Sequence, residues 1–293
     1  MRGLKEDSAT MAPAVTRKVR PPFKWAGGKY QILDDIQSFL PSGKRLIEPF
    51  VGSGVVFLNT EFDRYTLNDK NKDLITFYKI LKKEKGDFID YCRDFFNAKN
   101  NISEKYYEFR DQFNLTHDIL LKSALFLYLN KHGYNGLCRY NSSGNLNVPF
   151  GSYKKPYFPE KEMRYFLKKC ERASIQSKDF ESVMRTAKKG DVVYCDPPYV
   201  PLSQTSNFTA YSAGGFGQDE QRRLAKVAQE ISEEGIPVLI SNHSTSFTKS
   251  LYNKAKKKKY ISVRRLISCN GSKRENAKEI LALYLPANLN KVK

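Results

Sequence analysis

Tyr194-Cys195-Asp196-Pro197-Pro198-Tyr199 sets a carboxylate, two prolines and an aromatic ring directly after an apolar run. Two successive prolines stop a β-ladder and stiffen the turn behind it, because both fix φ and neither donates an amide proton. Ligands of open α/β sheets bind at the carboxyl ends of the strands. The turn would therefore present the Asp196 carboxylate and the Pro197 carbonyl as neighbouring acceptors, with Tyr199 as a flat stacking face. Such a set suits the exocyclic amine of a planar base. The amine donates both hydrogens, the base stacks on the tyrosine, and the nitrogen lone pair is free to attack an electrophilic methyl group. A proline-terminated strand with an incidental Asp is the plainer alternative.

Phe50-Val51-Gly52-Ser53-Gly54 places two glycines at a strand-to-helix turn, where missing Cβ atoms let a nucleotide or amino-acid moiety approach the backbone. A tight turn alone would also require them. Phe57 stands where a dinucleotide fingerprint carries its third glycine, and the Lys-Ser/Thr ending of a P-loop is absent, which weakens dehydrogenase and NTPase readings. Asp69 closes the next strand, where an acidic side chain can accept from ribose hydroxyls or simply cap a turn. His117, His132 and His243 have no ligand spacing and read as surface or structural residues, so no metal is expected.

These residues need a scaffold. Arg45 to Val51 reads as a buried strand, Val55 opens a helix, Tyr65 to Asn68 is a second strand, and Asp73 to Leu81 has helical apolar spacing. Strand signals return at Asp191 to Cys195, Pro237 to Ser241 and Ile280 to Tyr284, with a helix over Gln218 to Glu234. The alternation predicts an α/β fold with a mainly parallel sheet. Between about 85 and 165 the pattern changes: amphipathic stretches (Tyr106 to Phe113, Ile119 to Lys131) precede a segment rich in Gly, Asn, Arg and Tyr, 132 to 157. We read 85–165 as an inserted, mostly helical domain with a hairpin near 132–150, interrupting a core of 21–84 and 166–287. Residues 1–20 read as a mobile extension and 288–293 as a tail.

Fifty Lys and Arg against 31 Asp and Glu give a net charge of +19, which favours a polyanionic partner and salt-sensitive binding. The densest basic run, Lys254 and Lys256 to Lys259, is either a solvated helix end or a phosphate surface that Arg264, Arg265, Lys273 and Arg274 could extend. A hydrophobic content of 40% excludes a disordered chain. No apolar stretch is long enough to span a membrane and no signal peptide is evident. Cys92, Cys138, Cys170, Cys195 and Cys269 lack any C-x-x-C pair and read as core thiols of a reducing compartment. A soluble intracellular protein is expected.

The order of Phe23-Lys-Trp-Ala-Gly-Gly-Lys29, Glu48-Pro-Phe-Val-Gly-Ser-Gly54, Asn68-Asp69 and Asp196-Pro-Pro-Tyr199 resembles the Dam-type DNA adenine N6-methyltransferases. The likeness extends through Asn130 to Asn141, Asn147 to Gly151, Tyr153 to Pro159, Asn207 to Tyr211 and Ile236 to His243, covering roughly residues 21 to 285. The resemblance implies a doubly wound domain that binds S-adenosylmethionine, interrupted by a helical DNA-recognition domain and acting on adenine in double-stranded GATC. It implies that Trp25, Lys29, Phe50, Gly52, Gly54, Asp69 and Asp196 serve the cofactor, and that Asp196, Pro197, Pro198 and Tyr199 hold the target adenine. It assigns Lys24, Arg110, Tyr134, Asn135, Leu137, Arg139, Asn141 and Pro149 to DNA, with Tyr134 as a wedge in the base stack and Arg139 at a base edge. Ser152 departs from the pattern, since close relatives carry Arg there. The implied protein is a cytoplasmic, nucleoid-associated monomer of bacterial or phage-like origin. The amine-binding geometry leaves two alternatives: methylation of cytosine N4 or of adenine in RNA, and a silent DNA-binding protein.

Overall fold

The computed structural model describes residues 18–199, 215–264 and 276–286. The Asn207 to Tyr211 motif, Cys269, Arg265, Lys273, Arg274, the side chain of Arg264, and most of the N-terminal extension lie outside the described residues. Seven strands form one sheet: β1 (Arg45–Glu48), β2 (Arg64–Asn68), β3 (Ala173–Gln176), β4 (Asp191–Cys195), β5 (Val238–His243), β6 (Lys257–Arg264) and β7 (Asn276–Tyr284). Their order is β3-β2-β1-β4-β5-β7-β6. The first five are parallel, and β7 runs antiparallel between β5 and β6. The chain winds outward from β1 through β2 to β3, and then from β4 through β5 on the other side. The crevice at the carboxyl ends of β1 and β4 is thus the switch point at which ligands of doubly wound sheets bind.

Helices cover both faces. On the first side lie α1 (Leu33–Phe39), α2 (Val55–Leu58), α3 (Lys72–Arg93), α4 (Ser103–Leu115), α5 (Ile119–His132) and α6 (Glu160–Cys170). On the second lie α7 (Phe180–Met184), α8 (Gln218–Glu233) and α9 (Ser246–Leu251). Strand alternation explains the division. Leu46, Tyr194, Leu239 and Leu281 join the first apolar cluster, and Ile47, Val193, Cys195, Ile240 and Ile280 join the second. Burying each such side chain contributes roughly 1.5–3 kcal/mol. Both sides of the parallel strands are therefore apolar, which is why they read as continuous runs rather than alternating ones.

The amphipathic reading of Ile119 to Lys131 is corrected: helix α5 has no solvent face over Ser123 to His132, which are all sheltered, because it lies between α3 and α4. Its start is fixed by Asp118, which accepts from the amides of Leu120 and Leu121. The side chains of α3, α4 and α5 share one apolar cluster with the first sheet face. Lys85, with φ 53°, breaks the regular geometry inside α3. The basic run corrects one expectation: Lys257 to Lys259 open the edge strand β6 rather than finish a helix. Ile261 and Val263 pack inward while Lys258 and Tyr260 stay exposed, and lysines on an edge strand discourage pairing with another chain.

Candidate active site

Alternation carries the site. Glu48, Ser241 and Glu279 lie on the same sheet face as Leu46, Leu239 and Leu281, two residues along each strand, and Asp196 follows Tyr194 in the same sense. Four polar side chains thus converge at the carboxyl ends of β1, β4 and β5 and the adjoining start of antiparallel β7. Asp196 Oδ1 accepts from Lys29 Nζ at 2.9 Å and from Ser241 Oγ at 3.1 Å. The Lys29 side chain is only 2% exposed, and its ammonium also donates to the Gly27 carbonyl and lies 4.3 Å from the centre of the Tyr199 ring. Burial pushes the Asp196 carboxyl up to about 6, opposed by Lys29 and reinforced by the charge of Glu279. Behind the turn, Gln221 Nε2 donates to the Pro198 carbonyl at 2.8 Å, and Asn242 holds Gln221 in turn. The proline turn is therefore braced by polar groups from α8 and β5.

A cavity of about 390 Å³ extends from Asp196 beneath the loop after β1. Gly52 has φ 48°, and a Cβ there would stand 2.9 Å from Trp25 Nε1, so the backbone conformation and the tryptophan both require glycine. Gly54, with φ 77°, caps α2. Asp69 ties this loop down: Oδ2 accepts from the Gly52 amide and Oδ1 from the Asn71 amide, both at 2.9 Å. Burial raises the Asp69 carboxyl above its usual range. Asn68 links neighbouring loops by donating to the carbonyls of Pro49 and Lys178. At the far wall Phe50 packs on Phe180 and Phe216, each pair 5.4 Å apart, and the three rings form an apolar stretch of the lining.

Sequence reasoning assigned no role to several cavity residues. Glu48 is buried, burial and the charge of Asp196 push its carboxyl well up, and its Oε1 has no hydrogen-bond partner among the described residues. Asp179 and Phe180 follow β3, a strand too short and polar to announce itself. His243 packs against Tyr199, with ring centres 4.3 Å apart at 61°. His132 is structural, buried against Tyr128, and its imidazole is pushed down to about 4 by burial; His117 is exposed. The described cysteines, Cys92, Cys138, Cys170 and Cys195, are free and buried. Among the described residues no group of three or more His, Cys, Asp or Glu could hold a metal ion, and no helix is long and apolar enough to cross a membrane.

A second set of residues gathers beside the cavity mouth. Bridges at Gly133–Phe150 and Tyr140–Leu146 fold 133–150 back on itself. Asn130 binds this fold to the first segment: its Oδ1 accepts from the Lys24 amide, and its Nδ2 donates to the carbonyls of Lys24 and Gly136. Lys24, Tyr134, Asn135, Arg139, Asn141 and Pro149 are exposed, and Leu137 and Arg110 are half-buried. Lys24 Nζ lies 4.2 Å over the Tyr153 ring, whose hydroxyl accepts from the Asn135 amide. Arg139 donates from Nε and Nη2 to the Asn147 carbonyl, and Arg110 stacks on Tyr107. Asn141 Oδ1 accepts from the amides of Ser143 and Asn145, holding the tip. Ser152 is exposed with φ 50°.

The family model for D12 class N6 adenine-specific DNA methyltransferases matches residues 25–267. The chain belongs to that family. It is 50% identical over 270 residues to the DNA adenine methylase of Escherichia coli K12, spanning 92% of this chain and 97% of that protein. It is 49% identical over 271 residues to the DNA adenine methylase of Vibrio cholerae O395 (92% and 98%) and 48% over 269 residues to that of Serratia marcescens (92% and 99%). The Dam-type resemblance drawn from the motifs is borne out, and the methyltransferase is an enzyme that acts on adenine in DNA. Family membership decides against the cytosine, RNA and silent-binder alternatives.

Proposed function

We propose that this methyltransferase moves a methyl group from S-adenosylmethionine to N6 of adenine in double-stranded GATC, after the adenine has left the base stack. The observation that carries this reading is the Asp196 carboxylate, fixed by Lys29 and Ser241 beside the Tyr199 ring at the mouth of the cavity. The cavity has a size usual for a small-molecule site. The loop of Gly52 and Ser53 lines the cavity, with Trp25 packed against Gly52, and Gly54 shapes its turn from outside the lining. Asp69, which holds the loop, would lie by the ribose, the apolar wall of Phe50, Phe180 and Phe216 would meet a purine, and the partnerless Glu48 oxygen would suit an amine. The cofactor supplies a methyl group activated by its sulfonium.

The protein's own residues bind and align. Adenine inside a duplex cannot reach Asp196, so it must be flipped out, at a cost of a few kcal/mol that stacking on Tyr199 and entry of Tyr134 into the gap would offset. Asp196 and the Pro197 carbonyl accept the two amine hydrogens. This would favour a more tetrahedral nitrogen whose lone pair could take the methyl group as its bond to sulfur breaks, with S-adenosylhomocysteine as the leaving group and the surplus amine proton passing to Asp196 and then to solvent. Alignment of the reacting atoms by these residues would supply much of the acceleration. Lys24, Arg110, Asn135, Leu137, Arg139, Asn141 and Pro149 form the surface that would read and hold the DNA. We also propose that 85–165 acts as the target-recognition unit, and that the enzyme works as a monomer without a metal.

Duplexes carrying 2-aminopurine in place of the target adenine test the flipping step. Binding in the presence of a non-reactive cofactor analogue should raise 2-aminopurine fluorescence several-fold, and an unchanged signal would contradict it. A second expectation concerns pH. On this reading Asp196 must be ionised to accept from the amine, and burial pushes its carboxyl up to about 6. Protonation therefore removes the acceptor, so kcat/KM should be flat above that pH and fall about tenfold per pH unit below it. A profile flat down to pH 5 would show that Asp196 ionisation is not needed.

A further inference from the structure

Glu279 belongs to none of the motifs that define the site, yet it touches the site's aromatic face. It lies near the start of β7, which runs antiparallel to β5, so this early residue falls beside the carboxyl end of β5, paired with His243. Its side chain shares a sheet face with Ser241, and the residue is 8% exposed. Tyr199 donates its hydroxyl to Glu279 Oε2 at 2.8 Å. The ring is thus held at its oxygen end by β7 and flanked by His243, with Lys29 Nζ over it. Burial and the charges of Asp196 and Glu279 raise the phenol well above its usual range, so it keeps the proton that this bond needs.

Building on the proposal that Tyr199 stacks on the flipped adenine, we propose that Glu279 is a positioning residue for methyl transfer, fixing the plane of the Tyr199 ring through its hydroxyl. Stacking depends on the angle and offset of two planes, and a phenyl ring free to rock about its side-chain torsions gives a poorer platform. Glu279 also acts by charge. Asp196 is faced by Lys29 from the loop before α1, Glu48 from β1, Tyr194 and Tyr199 from β4 and its turn, Ser241 from β5 and Glu279 from β7. Removing the Glu279 charge lowers the Asp196 carboxyl, because one of the negative charges opposing its ionisation is gone.

Glu279→Ala, Glu279→Gln, Tyr199→Phe and the Tyr199→Phe/Glu279→Ala double variant test this in the full-length enzyme. Glu279→Ala should lower kcat about tenfold, the scale of one hydrogen bond to a charged group, with sinefungin affinity changed less than about twofold. Tyr199→Phe should match it, and the double variant should lose no more than either single variant, since both remove one bond. Glu279→Gln keeps an acceptor for the phenol, so it should recover most of kcat at pH 8 while moving the acid limb to lower pH. Independent, additive losses from the two single variants, or a Glu279→Ala variant with unchanged kcat, would overturn the proposal. An acid limb unmoved in Glu279→Gln would overturn the charge effect. Asp196→Ala measured alongside separates the two levels. If it stays active, the reading of the site itself fails; if it is inactive while Glu279→Ala is normal, only the role of Glu279 fails.

Discussion

Asp196→Ala should lower the rate of methyl transfer about 10³-fold while duplex affinity stays within about threefold of the parent enzyme. The carboxylate is the charged acceptor that the turn residues Asp196 to Tyr199 themselves carry, and on the proposed reading it faces the place where positive charge develops on the amine nitrogen as the methyl group arrives. Its loss is felt chiefly in the transition state. On the same reading, DNA affinity rests elsewhere, on exposed side chains such as Lys24, Asn135 and Arg139 and on the phosphate attraction of a strongly basic chain. Asp196→Asn is the sharper control, because it keeps the volume but presents an amide that can offer a donor to the amine. It also leaves the buried Lys29 ammonium without its counter-charge, so thermal melts should accompany the rates. Rapid transfer by either variant would remove Asp196 from the chemistry.

Arg139→Ala should reduce discrimination between GATC and a duplex altered at one base by roughly 10- to 100-fold, the value of one bidentate base contact. The guanidinium is exposed and uses Nε and Nη2 on the Asn147 carbonyl, which steadies its stem across the hairpin and leaves further donors of the planar fork for DNA. A base-edge contact is lost only on the correct sequence, so cognate kcat/KM should fall while the altered duplex changes little. An equal fall on both duplexes, with a shallower dependence on salt, would instead mark Arg139 as a phosphate contact.

The elements around the chemistry were legible in the sequence for physical reasons. Two prolines after the apolar run Val192 to Cys195 announce the end of β4, and the glycines that prove to have positive φ announce the turn after β1. Helix α5 was legible as a helix but not as one without a solvent face, because burial by α3 and α4 is a tertiary fact. Other parts were hidden. Strand β3 is four residues long and half polar, and β6 begins with lysines whose density masks the inward pair Ile261 and Val263. The supports of the site were hidden for a different reason. Ser241, Glu279 and Glu48 reach the surroundings of Asp196 and Tyr199 through sheet order and strand alternation, and Gln221 reaches Pro198 through the packing of α8, none of which local spacing encodes.

Labelled methyl transfer from S-adenosylmethionine to two duplexes differing only in GATC against GTTC, followed by chromatographic identification of the modified base, tests the proposed reaction most directly. Label should appear as N6-methyladenine in the GATC duplex alone. Equal label in both duplexes would contradict the recognition proposed for the 133–150 hairpin, and label on any other base would contradict the role given to Asp196, Pro197 and Tyr199.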